Sequence, residues 1–399
     1  MILQITNYIL PFITIPYLVR TIGTEYFGLL AFVSAVTAYL NVVVEYGFNL
    51  SATKEISRYR NDKSKLNEIF SSVMQIKFLL MFFCLLLLTI MILIFDKFSQ
   101  NAYLYYYTFG IIIGNLLFPV WLFQGLEKMK YITYINITIK SFFTVLIFIL
   151  VESQKDYYIV PILISLGSIS SGVVSLYIAK NKLNIKFRYQ KINTLKKYLY
   201  DGWHIFFSGF LTMPYTLGLP FFIGLFANNT IVGEFSIAQK ILNAINSLYQ
   251  PLSQALFPYI INIANKSKDN AKQTIMKIMK YSVLSIFLLS IITFIYAKEI
   301  IVLISGEELR DATQYLKIMS ILPILITVSK IMSFNYIVTF NYQMYLIDIY
   351  LKGAAVSLLL IFILVPLYSG LGASFSVVVT ELYLTFSMYK FIKQNIGFY

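Results

Sequence analysis

The chain has 399 residues, 58% of them hydrophobic and 13% charged, with a formal net charge of +14 and a mean hydropathy of +0.74. Soluble domains carry roughly 25% charged residues, so a chain this poor in charge cannot cover a water-facing surface, whereas a bilayer removes that requirement. One cysteine (Cys84) and one histidine (His204) exclude an intrachain disulfide and a Cys/His zinc site, and neither a metal nor a cofactor is expected.

Apolar stretches long enough to cross the hydrocarbon core, which takes about 20 helical residues, recur along the whole chain. They lie near residues 2–19, 27–50, 71–95, 102–124, 132–151, 158–178, 203–226, 231–262, 279–297, 314–338, 344–366 and 370–390. The pattern predicts an all-α polytopic membrane protein of about 12 transmembrane helices. The first stretch shows no small-residue cleavage pattern after it and is read as a span rather than a signal peptide. The eighth is long enough to extend beyond the bilayer.

The polar stretch Lys180–Asp201 separates six spans from six. It divides the chain into an N-terminal lobe (1–179), a basic cytoplasmic connector (180–202) and a C-terminal lobe (203–399). A faint repeat supports the division: Pro16 precedes Phe27-Gly28, and Pro220 precedes Val232-Gly233, at offsets of 204 and 205 residues. A parallel repeat of this kind predicts two six-helix bundles facing a central cavity.

Basic residues set the orientation. With the N-terminus cytoplasmic, loops on that side carry 21 Lys and Arg, concentrated at 54–65, 128–130, 180–197, 266–280 and 390–393. The opposite side receives 5, namely Arg20, Lys97, Lys155, Lys298 and Arg310. Positive loops beside spans are a topology signal before they are a nucleic-acid signal, so both termini are expected in the cytoplasm and no nucleic-acid partner is expected.

Charges within spans are the informative residues, because each costs roughly 2.5–3.5 kcal/mol at a helix centre. Lys77, Lys140, Lys240, Lys317, Lys330 and Lys352 fall in spans, as do Glu45, Glu234, Asp348 and Glu381. Lys77 lies near a helix end and is expected to snorkel to the interface. Asp348 and Lys352, four residues apart with the acid first, are expected to pair. Glu45 and Glu381 have no partner on their own helices and are candidate proton or sodium sites; Glu234 and Asp348 complete the ion-coupling candidates. The excess of positive charge suits an anionic group such as a pyrophosphate. No Gly-x-x-x-x-Gly-Lys-Ser/Thr string is present, and the longest loop is basic and nearly free of acids. No catalytic residue is assigned, and the chain is not read as an enzyme.

Specific strings carry a resemblance. Tyr8-Ile9-Leu10-Pro11, Ile15-Pro16-Tyr17-Leu18-Val19-Arg20-Thr21-Ile22-Gly23 and Tyr26-Phe27-Gly28-Leu29-Leu30-Ala31-Phe32 resemble the opening of Wzx-type O-antigen and capsule repeat-unit flippases. Glu45-Tyr46-Gly47-Phe48-Asn49-Leu50-Ser51-Ala52-Thr53-Lys54 and Trp121-Leu122-Phe123-Gln124-Gly125 resemble the same family more specifically. Gly233-Glu234-Phe235-Ser236 and Gln250-Pro251-Leu252 match less tightly. Such proteins usually carry a short basic segment before the first helix, and in this sequence only Met1 precedes it: either the start is late or this member lacks the segment, and orientation is read from the later loops.

The resemblance implies a polysaccharide-biosynthesis transporter of the multidrug/oligosaccharidyl-lipid/polysaccharide exporter superfamily, with two six-helix lobes. It implies an undecaprenyl-pyrophosphate-linked oligosaccharide as substrate, flipped across the bacterial inner membrane by alternating access. The polymerase and glycosyltransferases of the same pathway are its implied partners, together with membrane lipid. On this reading Arg20, Lys54, Lys240 and Lys330 are the candidate substrate-binding residues. A cation-coupled exporter of small molecules with the same fold, and a non-transporting scaffold of a polysaccharide assembly complex, remain alternatives.

Overall fold

The computed structural model describes residues 2–216 and 218–397, with side chains described except at 2–12, 248–255 and 258. The side chains of Pro11, Gln250-Pro251-Leu252 and Pro258 therefore lie outside those described. All described regular structure is helical. Contacts divide the chain into two compact units, one of residues 2–10 and 32–213 and one of residues 11–31 and 214–399.

Helix α1 (Ile2–Glu45) is broken at Gly23, whose φ of 81° and ψ of 161° are open to glycine and strained for other residues. The break falls between the first two apolar stretches of the sequence. The first unit then continues with α2 (Phe48–Arg58), α3 (Lys63–Ile94), the single turn α4 (Asp96–Ser99), α5 (Ala102–Leu117), α6 (Val120–Gly125), α7 (Met129–Leu150), α8 (Ile159–Asn181) and α9 (Ile192–Thr216). Asp62 caps α3, accepting from the N–H groups of Ser64 (2.9 Å) and Lys65 (3.1 Å).

The faces of α3 are inverted relative to a soluble helix. Phe78, Phe82, Phe83, Leu86 and Leu93 are exposed, Leu93 at 79%, while Ser71, Ser72, Lys77 and Cys84 are buried. Such a face finds a suitable partner only in lipid. Helices α5 and α8 meet through small residues: a Cβ on Gly114 would overlap Ser168, and one on Gly172 would crowd Leu117. Close backbone approach of this kind replaces the hydrophobic drive that lipid removes. The Ser175 hydroxyl adds a bond to Leu117 O at 3.1 Å.

The connector is strapped to α3. The N–H groups of Lys186, Arg188 and Gln190 donate to Asn67 Oδ1 (2.7 Å), Ser71 Oγ (2.8 Å) and Gln75 Oε1 (3.4 Å). Helix α9 then starts at Ile192, 11 residues before the apolar stretch expected at 203.

The second unit contains α10 (Leu219–Phe226), α11 (Asn229–Lys266), α12 (Lys268–Ile295), α13 (Ala297–Ser305), α14 (Arg310–Met319), α15 (Leu322–Lys330), a π-helix (Ile331–Val338) and α16 (Gln343–Asn395). Helix α16 is broken at Ser369 (φ 49°, ψ −122°), between the last two apolar stretches of the sequence. The two glycines that anchor the sequence repeat meet in this unit. A Cβ on Gly28 would overlap Asn229 O, and one on Gly233 would overlap Thr24 O. Each glycine thus faces the carbonyl four residues before its counterpart, a reciprocal contact between α1 and α11.

Among the described residues, eight helices are long and apolar enough to cross a membrane, or nine if α9 and α10 form one bent span. Together with the exposed apolar faces, they make this a multi-pass membrane protein.

Candidate functional site

The charged residues within the spans fall into two centres, one around the buried Lys77 and one around the half-buried Glu381, and several separate positions. The first centre lies in the first unit. Lys77 Nζ donates to Glu45 Oε1 at 2.8 Å and to Asn115 O at 3.1 Å. Lys77 is 0% exposed and the Glu45 side chain 18%. Lys77 therefore does not snorkel, and Glu45 is not a lone carboxylate. Both expectations are corrected by a contact between α1 and α3 that no single helix reveals.

The Asn115 carbonyl is available for a chemical reason. In an uninterrupted helix it would accept the N–H of residue 119, but that residue is Pro119, which has none. The lysine supplies the missing donor, as neighbouring side chains do for proline-interrupted membrane helices. Asn49 Nδ2 donates to the second oxygen, Glu45 Oε2, at 3.1 Å. Asn115 Nδ2 in turn donates to Asn41 Oδ1 at 3.1 Å. Glu45 and Asn49 both belong to the string that carries the family resemblance.

The second centre lies in the second unit. The Ser329 hydroxyl of α15 donates to Glu381 Oε1 of α16 at 2.6 Å, so Glu381 also has a partner. Lys330 is close enough for its charge to act on Glu381, yet among the described residues no salt bridge joins the two. Tyr215 and Tyr350 lie within electrostatic reach of the same carboxylate. The π-helix begins at the residue after Lys330. Such segments widen the helix and are frequent at functional sites. The Ser333 hydroxyl inside it bonds back to Lys330 O at 3.1 Å.

The other predicted residues do not converge on either centre. Arg20 directs Nε to Ile304 O at 3.3 Å and Nη2 to Leu303 O at 2.5 Å. Those carbonyls end α13, where the helix has no internal donors left. Lys240 is exposed, with Nζ 5.5 Å from the centre of the Phe27 ring, within cation–π range. Lys54 is exposed on α2. Glu234, in the second turn of α11, is buried against the start of α14, where Ala312 N–H reaches it and Asp311 lies nearby. Asp348 and Lys352 pair at 2.7 Å as expected from their spacing, both well exposed at 58% and 61%. Lys140 and Lys317 are exposed.

Ser329, Tyr215, Tyr350, Asn49 and Asn115 are the site residues that sequence reasoning missed. Lys77 was open to detection: it stands in phase with Val73, Cys84 and Leu88 on the buried stripe of α3, and a lysine on a protein-facing stripe needs a partner.

Residues 1–264 match the family described as polysaccharide biosynthesis protein. The chain is 32% identical over 394 residues to an Escherichia coli (strain K12) protein named "Putative O-antigen transporter", covering 99% of this chain and 95% of the relative. A Shigella dysenteriae protein of the same name is 30% identical over 397 residues, covering 97% and 96%. Among solved structures, the lipid II flippase MurJ in an inward closed conformation aligns with a TM-score of 0.76 at 14% identity, covering 97% of this chain and 87% of the other. An inward-facing multidrug resistance MATE family transporter of the MOP superfamily aligns at 0.69 and 12% identity, covering 96% and 97%. These two likenesses describe the fold. By the family match and the near-full-length relatives, the chain belongs to the polysaccharide biosynthesis protein family.

Proposed function

We propose that this protein flips undecaprenyl-pyrophosphate-linked oligosaccharide repeat units from the cytoplasmic to the outer leaflet of the bacterial inner membrane. The observation that carries the reading is the match along nearly the whole chain to relatives named as O-antigen transporters, on a fold like that of a lipid II flippase. The breaks at Gly23 and Ser369 support twelve crossings, with both termini cytoplasmic by the placement of basic loops.

In this mechanism, cationic side chains draw the pyrophosphate into a membrane-embedded protein while the polyprenyl tail stays in lipid. Lys240 is the principal candidate, being exposed and held over Phe27. Lys54 receives the head group at the inner end of α2. Lys330 contributes from the second unit, and Arg20 sets the geometry near α13 through its carbonyl contacts. Coupling to a proton or sodium ion is assigned to Glu381, which has a hydroxyl donor but no direct ion pair among the described residues. Glu45 is already neutralised by Lys77, Asp348 by Lys352, and Glu234 is the reserve candidate.

The test is translocation in proteoliposomes of a defined polyprenyl-pyrophosphate oligosaccharide, read by outer-leaflet access of a sugar-modifying enzyme. Protein-dependent transfer, lowered by Lys240→Glu, is expected. Equal transfer in empty liposomes, or export of a small cationic dye in place of the lipid-linked sugar, would overturn the proposal. The dye result is the one expected of a multidrug exporter.

A further inference from the structure

The strap between α8 and α9 continues a lipid-facing surface. Asn67, Ser71 and Gln75, which accept its N–H groups, stand four residues apart on one face of α3. The same face runs on through Phe78, Leu79, Phe82 and Leu86, which are exposed, whereas Asn67 and Ser71 are buried where the strap lies on them. The last bond of the strap, at Gln75, falls three residues before Phe78, or about 4.5 Å of helix rise. The strap thus ends where bare, apolar helix surface begins. We infer that the strap and the first turn of α9 form a binding surface for the head groups of anionic phospholipids, in the leaflet on the side of the basic loops.

The alternation of the strap suits such a surface. Successive side chains of an extended chain point to opposite faces, so Ile185, Phe187 and Tyr189 share one face and Lys186, Arg188 and Gln190 the other. Ile185 is buried, while Phe187 and Tyr189 emerge to 58% and 87% exposure as the strap nears Phe78. Amphipathic rings at the level where an apolar helix face begins belong to a membrane interface. Lys186 and Arg188 are exposed, and Lys191, Ile192 and Lys196 extend the basic and apolar pattern into α9.

The charge around the strap has one sign. Residues 180–200 hold seven Lys and Arg and no Asp or Glu. The carboxylates that approach from neighbouring helices are engaged. Glu68 of α3 is bound by Lys65 at 2.8 Å and by the Tyr198 hydroxyl at 3.3 Å, and Glu55 of α2 by Arg58 at 3.2 Å. Asp201, exposed at the next position of α9, offsets one of the seven charges. The ion pairs among the described residues include none of Lys186, Arg188, Lys191 and Lys196.

An acidic protein would match that charge but would leave the rings of Phe187 and Tyr189 beside lipid without a role. A phospholipid meets both features, its phosphate taking charge-assisted bonds and its glycerol and upper acyl chains covering the rings. Basic clusters of about this size beside a span are the pattern that gathers anionic lipid. Because backbone N–H groups hold the strap to α3, the Lys186 and Arg188 side chains can be changed without loosening it. The surface goes beyond the flippase reading and does not depend on it.

The test reads lipid locally. Full-length protein carries a bimane group on Asn193→Cys, an exposed position; Cys84 is buried and stays unlabelled. The protein is reconstituted in mixtures of phosphatidylglycerol and phosphatidylcholine, with a quencher on the upper acyl chain of one lipid or the other. Phosphatidylglycerol should be favoured at the label about fivefold or more, and the preference should weaken with salt. Lys186→Gln/Arg188→Gln should bring the ratio near one, and Lys186→Arg should keep it. Phe187→Ser/Tyr189→Ser should lower quenching by both lipids alike. Lys390→Gln/Lys393→Gln, at the end of α16, should leave the ratio unchanged.

A ratio of one at the label, or an unaltered ratio in the folded glutamine variant, would overturn the proposal. So would a ratio of one together with binding of a polyglutamate peptide, which would assign the surface to an acidic protein. If the glutamine variant does not fold, the same ratio is read from a label on Gln100→Cys, exposed in a loop on the opposite side. Preference at position 193 but not at position 100 supports the surface, and equal ratios overturn it.

Discussion

The two charge centres within the spans solve one problem in opposite ways. In the first unit, Lys77 and Glu45 touch at 2.8 Å, and the remaining bonding capacity is taken up by Asn49 and by the carbonyl that Pro119 leaves unbonded. In the second, Glu381 takes a hydroxyl from Ser329 while Lys330 stays beyond salt-bridge distance, at the entrance to a π-helix. A closed pair has little to gain from another ion. A carboxylate whose counter-charge is near but not bonded can exchange partners, which is what a coupling site requires. The difference favours a fastening role for Glu45–Lys77 and a working role for Glu381–Lys330.

The largest effect is expected from breaking the closed pair. Lys77→Met leaves Glu45 without its buried partner and should cost about 3–5 kcal/mol, seen as loss of monodisperse protein in fluorescence-detected size-exclusion thermostability. Lys77→Met/Glu45→Gln should recover most of that loss. If the single variant is as stable as wild type, the fastening role is wrong.

A steric lesion in the other unit gives a comparison free of charge. Gly28→Ala pushes a methyl into the Asn229 carbonyl and should cost about 1–3 kcal/mol, on the same thermostability scale. Next comes the open pair. Glu381→Gln keeps an acceptor for Ser329, so stability should change by less than in Lys77→Met. Transport should lose its dependence on an imposed ion gradient, with initial rates down on the order of tenfold. Unaltered gradient dependence in proteoliposomes would remove Glu381 from coupling. The smallest effect belongs to the exposed pair: Asp348→Asn should leave both stability and transport at wild-type levels, because a solvent-screened pair within one helix contributes little.

Membrane class, the approximate positions of the apolar helices and the Asp348–Lys352 pair were legible in the sequence, because each depends on residues close together in the chain. The Lys77–Glu45 bond was not, since its partners stand 32 residues apart on different helices and no spacing rule reaches across a helix interface. The same holds for Ser329 and Glu381, 52 residues apart. The reciprocal packing of Gly28 against Gly233 was half legible. Their similar setting, each opening an apolar stretch that follows a proline, could be read, but that the two touch depends on how α1 and α11 cross. Arg20 shows the converse: its charge was visible, while the carbonyls it serves belong to a helix more than 280 residues later, and α13 itself falls in what the sequence shows as a loop between the apolar stretches at 279–297 and 314–338.

The strap along α3 has a built-in length. Its extended backbone advances about 6.6 Å per two residues, while the helix beneath it advances about 6.0 Å per four. The two advances nearly match, so alternate N–H groups of the strap meet acceptor side chains four residues apart on the helix, at 2.7 Å, 2.8 Å and 3.4 Å. The connector is therefore a gauge rather than slack, and it fixes where α9 begins. Inserting one residue ahead of Lys186 would present the wrong edge of the strap to Asn67, Ser71 and Gln75, whereas inserting two would restore the pattern with different side chains.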